Sequence, residues 1–171
     1  MAGGVQPGQV AMDEQARTLD KYCKILSEDI ECDLRFKYPG LVRKKKLSQK
    51  DIGSLGACAP DGSAWYYKGI LISVFEAKKQ QNRGNAIERW FKNHYICRNI
   101  NPNVSYVTFC VGPGAVENGV IPKTLAVAHP NGFNKYVPGG NSCYLNPEGF
   151  TQEEIRSIMR DAIVERIEAN S

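Results

Sequence analysis

Three side chains in this sequence have the types and spacing for metal-assisted chemistry. Glu76 and Lys78 stand two residues apart at the end of the apolar run "GILISVFEAKK", and Asp61 sits upstream in "PDG". Side chains alternate across a strand, so Glu76 and Lys78 share a face about 7 Å apart. Fourteen residues, 62 to 75, separate Asp61 from Glu76, a stretch that a hairpin can fold back on itself. Two carboxylates and the Ala77 backbone carbonyl make an all-oxygen set that suits Mg²⁺. A lysine beside that set can orient or deprotonate a water and offset the charge of a phosphorane-like transition state. Neither histidine (His94, His129) nor any cysteine is needed. An acid–lysine pair is also common on a solvated strand edge, and aspartate is common in turns. The neighbours argue for more: the rest of the strand is Ile, Leu, Val and Phe, and burying charges without partners or work is costly.

The elements that must position these groups are legible from periodicity. A helix is expected over 12–33, where Ala16, Leu19, Tyr22, Cys23, Leu26 and Ile30 recur at three- and four-residue steps. Residues 1–11 read as a flexible lead-in. Pro39-Gly40 marks a turn, and a basic run follows over 43–46, to be weighed as a phosphate contact or a solvated loop. Ser48 with Asp51 suggests the cap of a short helix. Segments 65–67 and 70–78, joined at Lys68-Gly69, form a β-hairpin signal in which Trp65, Tyr66 and Tyr67 pack the hairpin. A helix over 85–99 carries Ile87, Phe91 and Tyr95 on one stripe. A buried strand covers 104–112, a weaker one 125–128, and 129–142 read as loop. Thr151 and Glu154 form a capping box opening a helix whose apolar face is Ile155, Ile158, Met159, Ala162, Ile163 and Ile167. Alternation of this kind implies a central mixed β-sheet flanked by helices, in a single compact α/β domain over 12–171.

Composition sets bounds on function. The chain has 171 residues, 42% hydrophobic and 23% charged, which fits one globular domain and argues against general disorder. A net charge of +4 leans only weakly towards polyanions. The longest apolar run, 70–75, is far too short to span a membrane. The N-terminus has neither a basic n-region nor an apolar core, so it does not read as a secretory signal. Six cysteines at 23, 32, 58, 97, 110 and 143 show no CxxC spacing, which suggests free thiols in a reducing cytoplasm.

Taken in order, "PDG" (60–62), "EAK" (76–78) with Gln80, and "GNAIER" (84–89) with "KN" (92–93) resemble the EcoRI-like type II restriction endonucleases of the PD-(D/E)xK superfamily. Weaker likeness continues in "LRFKY", "SYVTFCVG" and the helix from Thr151. The resemblance implies a restriction-endonuclease-like fold with Asp61, Glu76 and Lys78 as catalytic groups. Asp61, Glu76 and the Ala77 carbonyl would hold Mg²⁺. Asn85, Ala86 and Arg89 would read adenines in the major groove of double-stranded DNA, and Gln80 would add a base contact. Glu88 would position Arg89 across a homodimer interface. Asparagine is a good bidentate partner for adenine, and arginine offers several donors. Relatives share a central AATT, so the same core is expected here, with cleavage leaving a 5′-phosphate and a 3′-hydroxyl. This chain departs from the family in length: only six residues (79–84) separate Lys78 from Asn85, where relatives carry a long insertion. Asn82 and Arg83 occupy that place, so the outer base pairs stay open. Glu28 and Asp29 on the first helix either approach the metal or face solvent. A structure-specific junction or repair nuclease, a DNA-binding protein without catalysis, and a small-molecule hydrolase with its own pocket are the alternatives.

Overall fold

Ile, Val, Leu and aromatic residues build a five-stranded sheet at the centre of this computed structural model, which describes residues 9–53, 58–79, 85–111, 142–145 and 151–170. The elements are α1 (Gln9–Leu34), β1 (Leu41–Lys44), α2 (Gln49–Ile52), β2 (Ala64–Tyr67), β3 (Ile70–Lys79), α3 (Asn85–Ile100), β4 (Ser105–Val111), β5 (Ser142–Leu145) and α4 (Gln152–Ala169). Strands lie in sequence order, antiparallel through β1-β2-β3 and parallel through β3-β4-β5. The sheet is therefore mixed, with β3 at the junction of its two halves.

Local chemistry accounts for each connection. Lys68 (φ 51°) and Gly69 (φ 82°) both adopt left-handed backbone, the pattern of a two-residue type I′ hairpin turn that matches strand twist. The register slips between Trp65 and Tyr66, leaving Ile72 with no residue opposite it. This bulge lets both Leu71 and Ile72 be buried, on opposite faces. The parallel pairing of β3 with β4 needs a crossover, which α3 supplies.

Helices cover both faces. On one, Cys23, Leu26, Ile30 and Leu34 of α1 meet Ile155, Met159, Ile163 and Ile167 of α4 over Trp65, Ile72, Phe75, Val107 and Phe109. On the other, Ile52 of α2 and Ile96 and Cys97 of α3 pack on Tyr66, Leu71, Val74 and Tyr106. Trp65, Tyr66 and Tyr67 are buried as expected. Arg156 and Arg160 of α4 join Asp29 and Asp33 of α1 along the seam between these helices.

Several expectations need correction. Helix α1 starts at Gln9, three residues early. The basic run is not a plain loop: Arg43 and Lys44 belong to edge strand β1 and Lys45-Lys46 to the bend after it. Ser142 opens a fifth strand that the loop reading of 129–142 missed. Ser48 is at the N-cap of α2, but its side chain makes no cap bond; it accepts from Lys44 Nζ at 2.8 Å instead. Thr151 and Glu154 do form the capping box. Tyr95 is 67% exposed, so it does not belong to the inward face of α3, where Ile96 and Cys97 are buried; the side chains of Ile87 and Phe91 lie outside the described residues. The segment 125–128 lies outside the described residues. No described helix is long and apolar enough to cross a membrane.

Candidate active site

Asp61 is placed by backbone groups that β2 leaves unpaired. The β2–β3 ladder ends at Ala64–Val74, so the following groups on that edge of β3 need other partners. The turn 60–62 supplies them. Gly62 N–H donates to Phe75 O at 2.8 Å, and Ala77 N–H donates to Asp61 Oδ2 at 2.9 Å. Asp61 thus continues the ladder with its side chain. Gly62 allows the approach: a Cβ there would lie 2.5 Å from Phe75 Cβ. The turn is also held from behind. Gly62 O lies 2.9 Å from Ser27 Oγ and accepts from Trp65 Nε1 at 3.0 Å.

Glu76 is only 6% exposed. Its carboxylate accepts a short hydrogen bond from Tyr106 Oη on the neighbouring strand. Parallel register sets this pair, since Val74 is opposite Tyr106 and Glu76 opposite Thr108, two positions on and facing the same side. Burial, and then the charge of Glu76, push the Tyr106 phenol well above its ordinary range. It therefore stays protonated and able to donate.

A third carboxyl, unexpected from the sequence, completes the group. Asp20 on α1 faces Asp61. Burial, reinforced by the hydrogen bond with Asp20 and the charges of Asp20 and Glu76, pushes Asp61 up to about 7, against the pull of the Ala77 N–H. In Asp20 burial acts upwards too, but the hydrogen bonds from Asp61 and Lys24 prevail and hold it below the ordinary value. Asp20 Oδ1 is buried and has no N–H or alcohol hydroxyl donor, and the Asp20 and Asp61 carboxyls lie side by side. The other Asp20 oxygen accepts from Lys24 Nζ at 3.0 Å. The two acids thus share one proton, with Asp20 carrying the charge. One signal could have revealed Asp20. It continues the heptad stripe Cys23, Ser27, Ile30 and Leu34, all buried, one step towards the N-terminus.

Thiol chemistry has no footing beside this group. Burial first, then the charges of Asp61 and Asp20, push Cys23 up to about 12, and burial raises Cys97 strongly. Both remain protonated and weakly nucleophilic.

Beside Asp61 opens a cleft of about 550 Å³, walled by Lys24 and Glu28 of α1, the basic segment at the end of β1, and Ala59, Pro60 and Ser63. Glu28 is thus on the cleft wall, whereas Asp29 pairs with Arg156 at 2.5 Å. Lys78 occupies the next-but-one position of β3 after Glu76, paired in register with Cys110. Asn85, Ala86, Glu88 and Arg89 fall in the first two turns of α3, where the backbone alone is described. Gln80, Asn82 and Arg83 lie outside the described residues.

The donor set suits a hard divalent cation. Asp61 and Glu76 both lie at one end of β3, Asp61 in the turn on its free edge beside α1 and Glu76 on the face covered by Tyr106. Among the described residues, no group of three His, Cys, Asp or Glu side chains forms a ready-made metal cage. Against models of known protein families and against curated protein sequences, the chain finds no match.

Proposed function

We propose that this protein is a Mg²⁺-dependent endonuclease that cuts double-stranded DNA at a short palindrome with an AATT core. The observation carrying the reading is the hydrogen bond from Ala77 N–H to Asp61, which ties the "PDG" turn to the "EAK" strand at 2.9 Å. Two motifs 14 residues apart in sequence converge at one end of β3. In this reading Asp61, Glu76 and the Ala77 carbonyl hold Mg²⁺, which when bound supplies Lewis-acid stabilisation of charge on the phosphoryl oxygens.

The chain's own groups do the rest. Tyr106 fixes Glu76 by donating to one carboxylate oxygen, leaving the other available. Asp61 retains the shared proton in the resting site, with Asp20 as its acceptor, and so does not repel Glu76. Lys78, on the Glu76 face of β3 by alternation, orients the attacking water and accepts its proton through solvent or directly. The water oxygen bonds phosphorus as the in-line P–O3′ bond breaks, and the departing 3′-oxygen takes a proton from solvent, leaving a 5′-phosphate and a 3′-hydroxyl. Base reading belongs to the start of α3, with Asn85, Ala86 and Arg89 facing adenines and Glu88 steering Arg89.

The deciding experiment incubates purified protein with a long DNA and Mg²⁺ and sequences the ends. Cuts within AATT-centred palindromes with 5′-phosphates support the reading. Ends scattered without symmetry, or confined to branched substrates, refute it in favour of a structure-specific nuclease. Lys78→Ala serves as the control: nicking lost and binding kept. Ca²⁺ in place of Mg²⁺ should support binding without turnover.

A further inference from the structure

The charged lining of the cleft beside Asp61 is predominantly basic. Lys24, Arg43, Lys45 and Lys46 face only Glu28 and Asp61 across about 550 Å³. Its volume lies within the roughly 300–1,000 Å³ of ligand sites, but those sites are mostly apolar. Here four of the nine described lining residues are lysine or arginine. We propose that this cleft holds the sugar–phosphate backbone of the cut strand next to the scissile bond, with Lys45 and Lys46 as its principal phosphate contacts. The inference rests on the nuclease reading and adds where the backbone of the cut strand lies: on the α1–β1 side, with the duplex crossing the end of β3 to reach the start of α3.

The basic run divides its work. Lys44 is turned out of the cleft: it donates to Ser48 Oγ at 2.8 Å and lies 5.0 Å over the Tyr66 ring. Arg43 is anchored, donating to Ser63 Oγ at 3.2 Å and to Glu31 at 3.4 Å. It fixes the wall to the segment that carries Asp61. Lys24 is engaged with Asp20. Lys45 and Lys46 are exposed on the cleft rim, their side chains holding no hydrogen bond or ion pair among the described residues. Flexible ammonium groups of this kind neutralise phosphates and release counterions, which gives affinity without sequence preference.

The test is fluorescence anisotropy with an AATT-centred duplex and a scrambled duplex, in Ca²⁺, over a salt series. Lys45→Ala/Lys46→Ala should weaken both duplexes alike, by roughly tenfold or more, and reduce the salt slope by about 2. Lys44→Ala, which removes one charge where the double variant removes two, should leave the slope as in the wild type rather than reduce it by about 1. Unchanged thermal midpoints verify folding, as both lysines are exposed. If the wild type binds and the double variant binds equally with the same slope, the inference falls while the nuclease reading stands. Loss on the AATT duplex alone also overturns it, since that is base reading. Equal effects from Lys44→Ala overturn it as mere net-charge attraction. A wild type that binds no duplex overturns both, and binding of deoxyadenosine monophosphate instead would assign the cleft to a mononucleotide.

Discussion

Asp61 holds a proton in the folded chain that the unfolded chain releases at the ordinary value of 3.8. Between that value and about 7 the folded state binds the extra proton. Its contribution to the stability of the metal-free protein is therefore full below 3.8 and is lost as pH rises through about 7. Asp20 acts in the opposite sense, its contribution being lost only as pH falls below the ordinary carboxylate range. Metal-free protein should melt higher at pH 5 than at pH 8, and Asp61→Asn should flatten that difference; a wild-type midpoint rising across this interval would refute the shared proton. Cleavage should show the reverse trend, increasing up to about pH 7, because the cation competes with the proton. Tyr106→Phe removes the donor to a buried carboxylate, a loss of about 1–3 kcal/mol or more. Calorimetry on that variant checks it, and retention of both wild-type stability and activity would show that Glu76 needs no such partner. At this scale the sequence showed Asp61 and Glu76, because a turn acid and a strand acid each break a local pattern. It hid Asp20, whose role depends on contact with a turn some forty residues away (20 to 61).

Strand β3 converts these side chains into a site because it runs past the end of β2. Its free edge is taken up by the turn 60–62, and the fit leaves no room at Gly62, where an added Cβ would also meet Phe75 O at 3.2 Å. Gly62→Ala should push the turn off β3, costing roughly 1–3 kcal/mol as an overpacked position and lowering the melting midpoint by about 2–4 °C per kcal/mol. Activity should fall further than stability, since Asp61 moves with the turn. A variant with a lowered midpoint but full activity would separate the glycine from the site. Legibility at this scale followed length and periodicity. The hairpin, α3 and α4 announced themselves through Lys68-Gly69, the helical register and the Thr151 capping box. Strands β1 and β5 have four residues each, too few for alternation to stand out. In β1 the lysines that protect an edge strand also disguise it as loop.

Two faces of one sheet carry different parts of the proposed task. The α1–α4 side holds the main core and the Asp20–Asp61 pair, and the basic cleft opens beside it; the other side holds Glu76, Tyr106 and α3. A single protomer thus offers one set of cutting groups, whereas a palindromic duplex has two equivalent bonds. Under the proposed reading, two-fold pairing of protomers would satisfy both, with each α3 reading one half-site. Exposed Tyr95 on α3 is available to such pairing. The prediction is kinetic. With protein in excess, a supercoiled plasmid carrying one site should pass to the linear form with little nicked intermediate. Dilution below the dimer dissociation constant should let nicked circles accumulate, together with a monomer peak in sedimentation. Arg89→Ala should abolish the choice between AATT-centred and scrambled duplexes, a loss of about 1–3 kcal/mol of discrimination for each base pair it reads. Steady accumulation of nicked circles at every protein concentration would mean that protomers act singly. The symmetric reading would then give way to a nuclease that recognises structure rather than sequence.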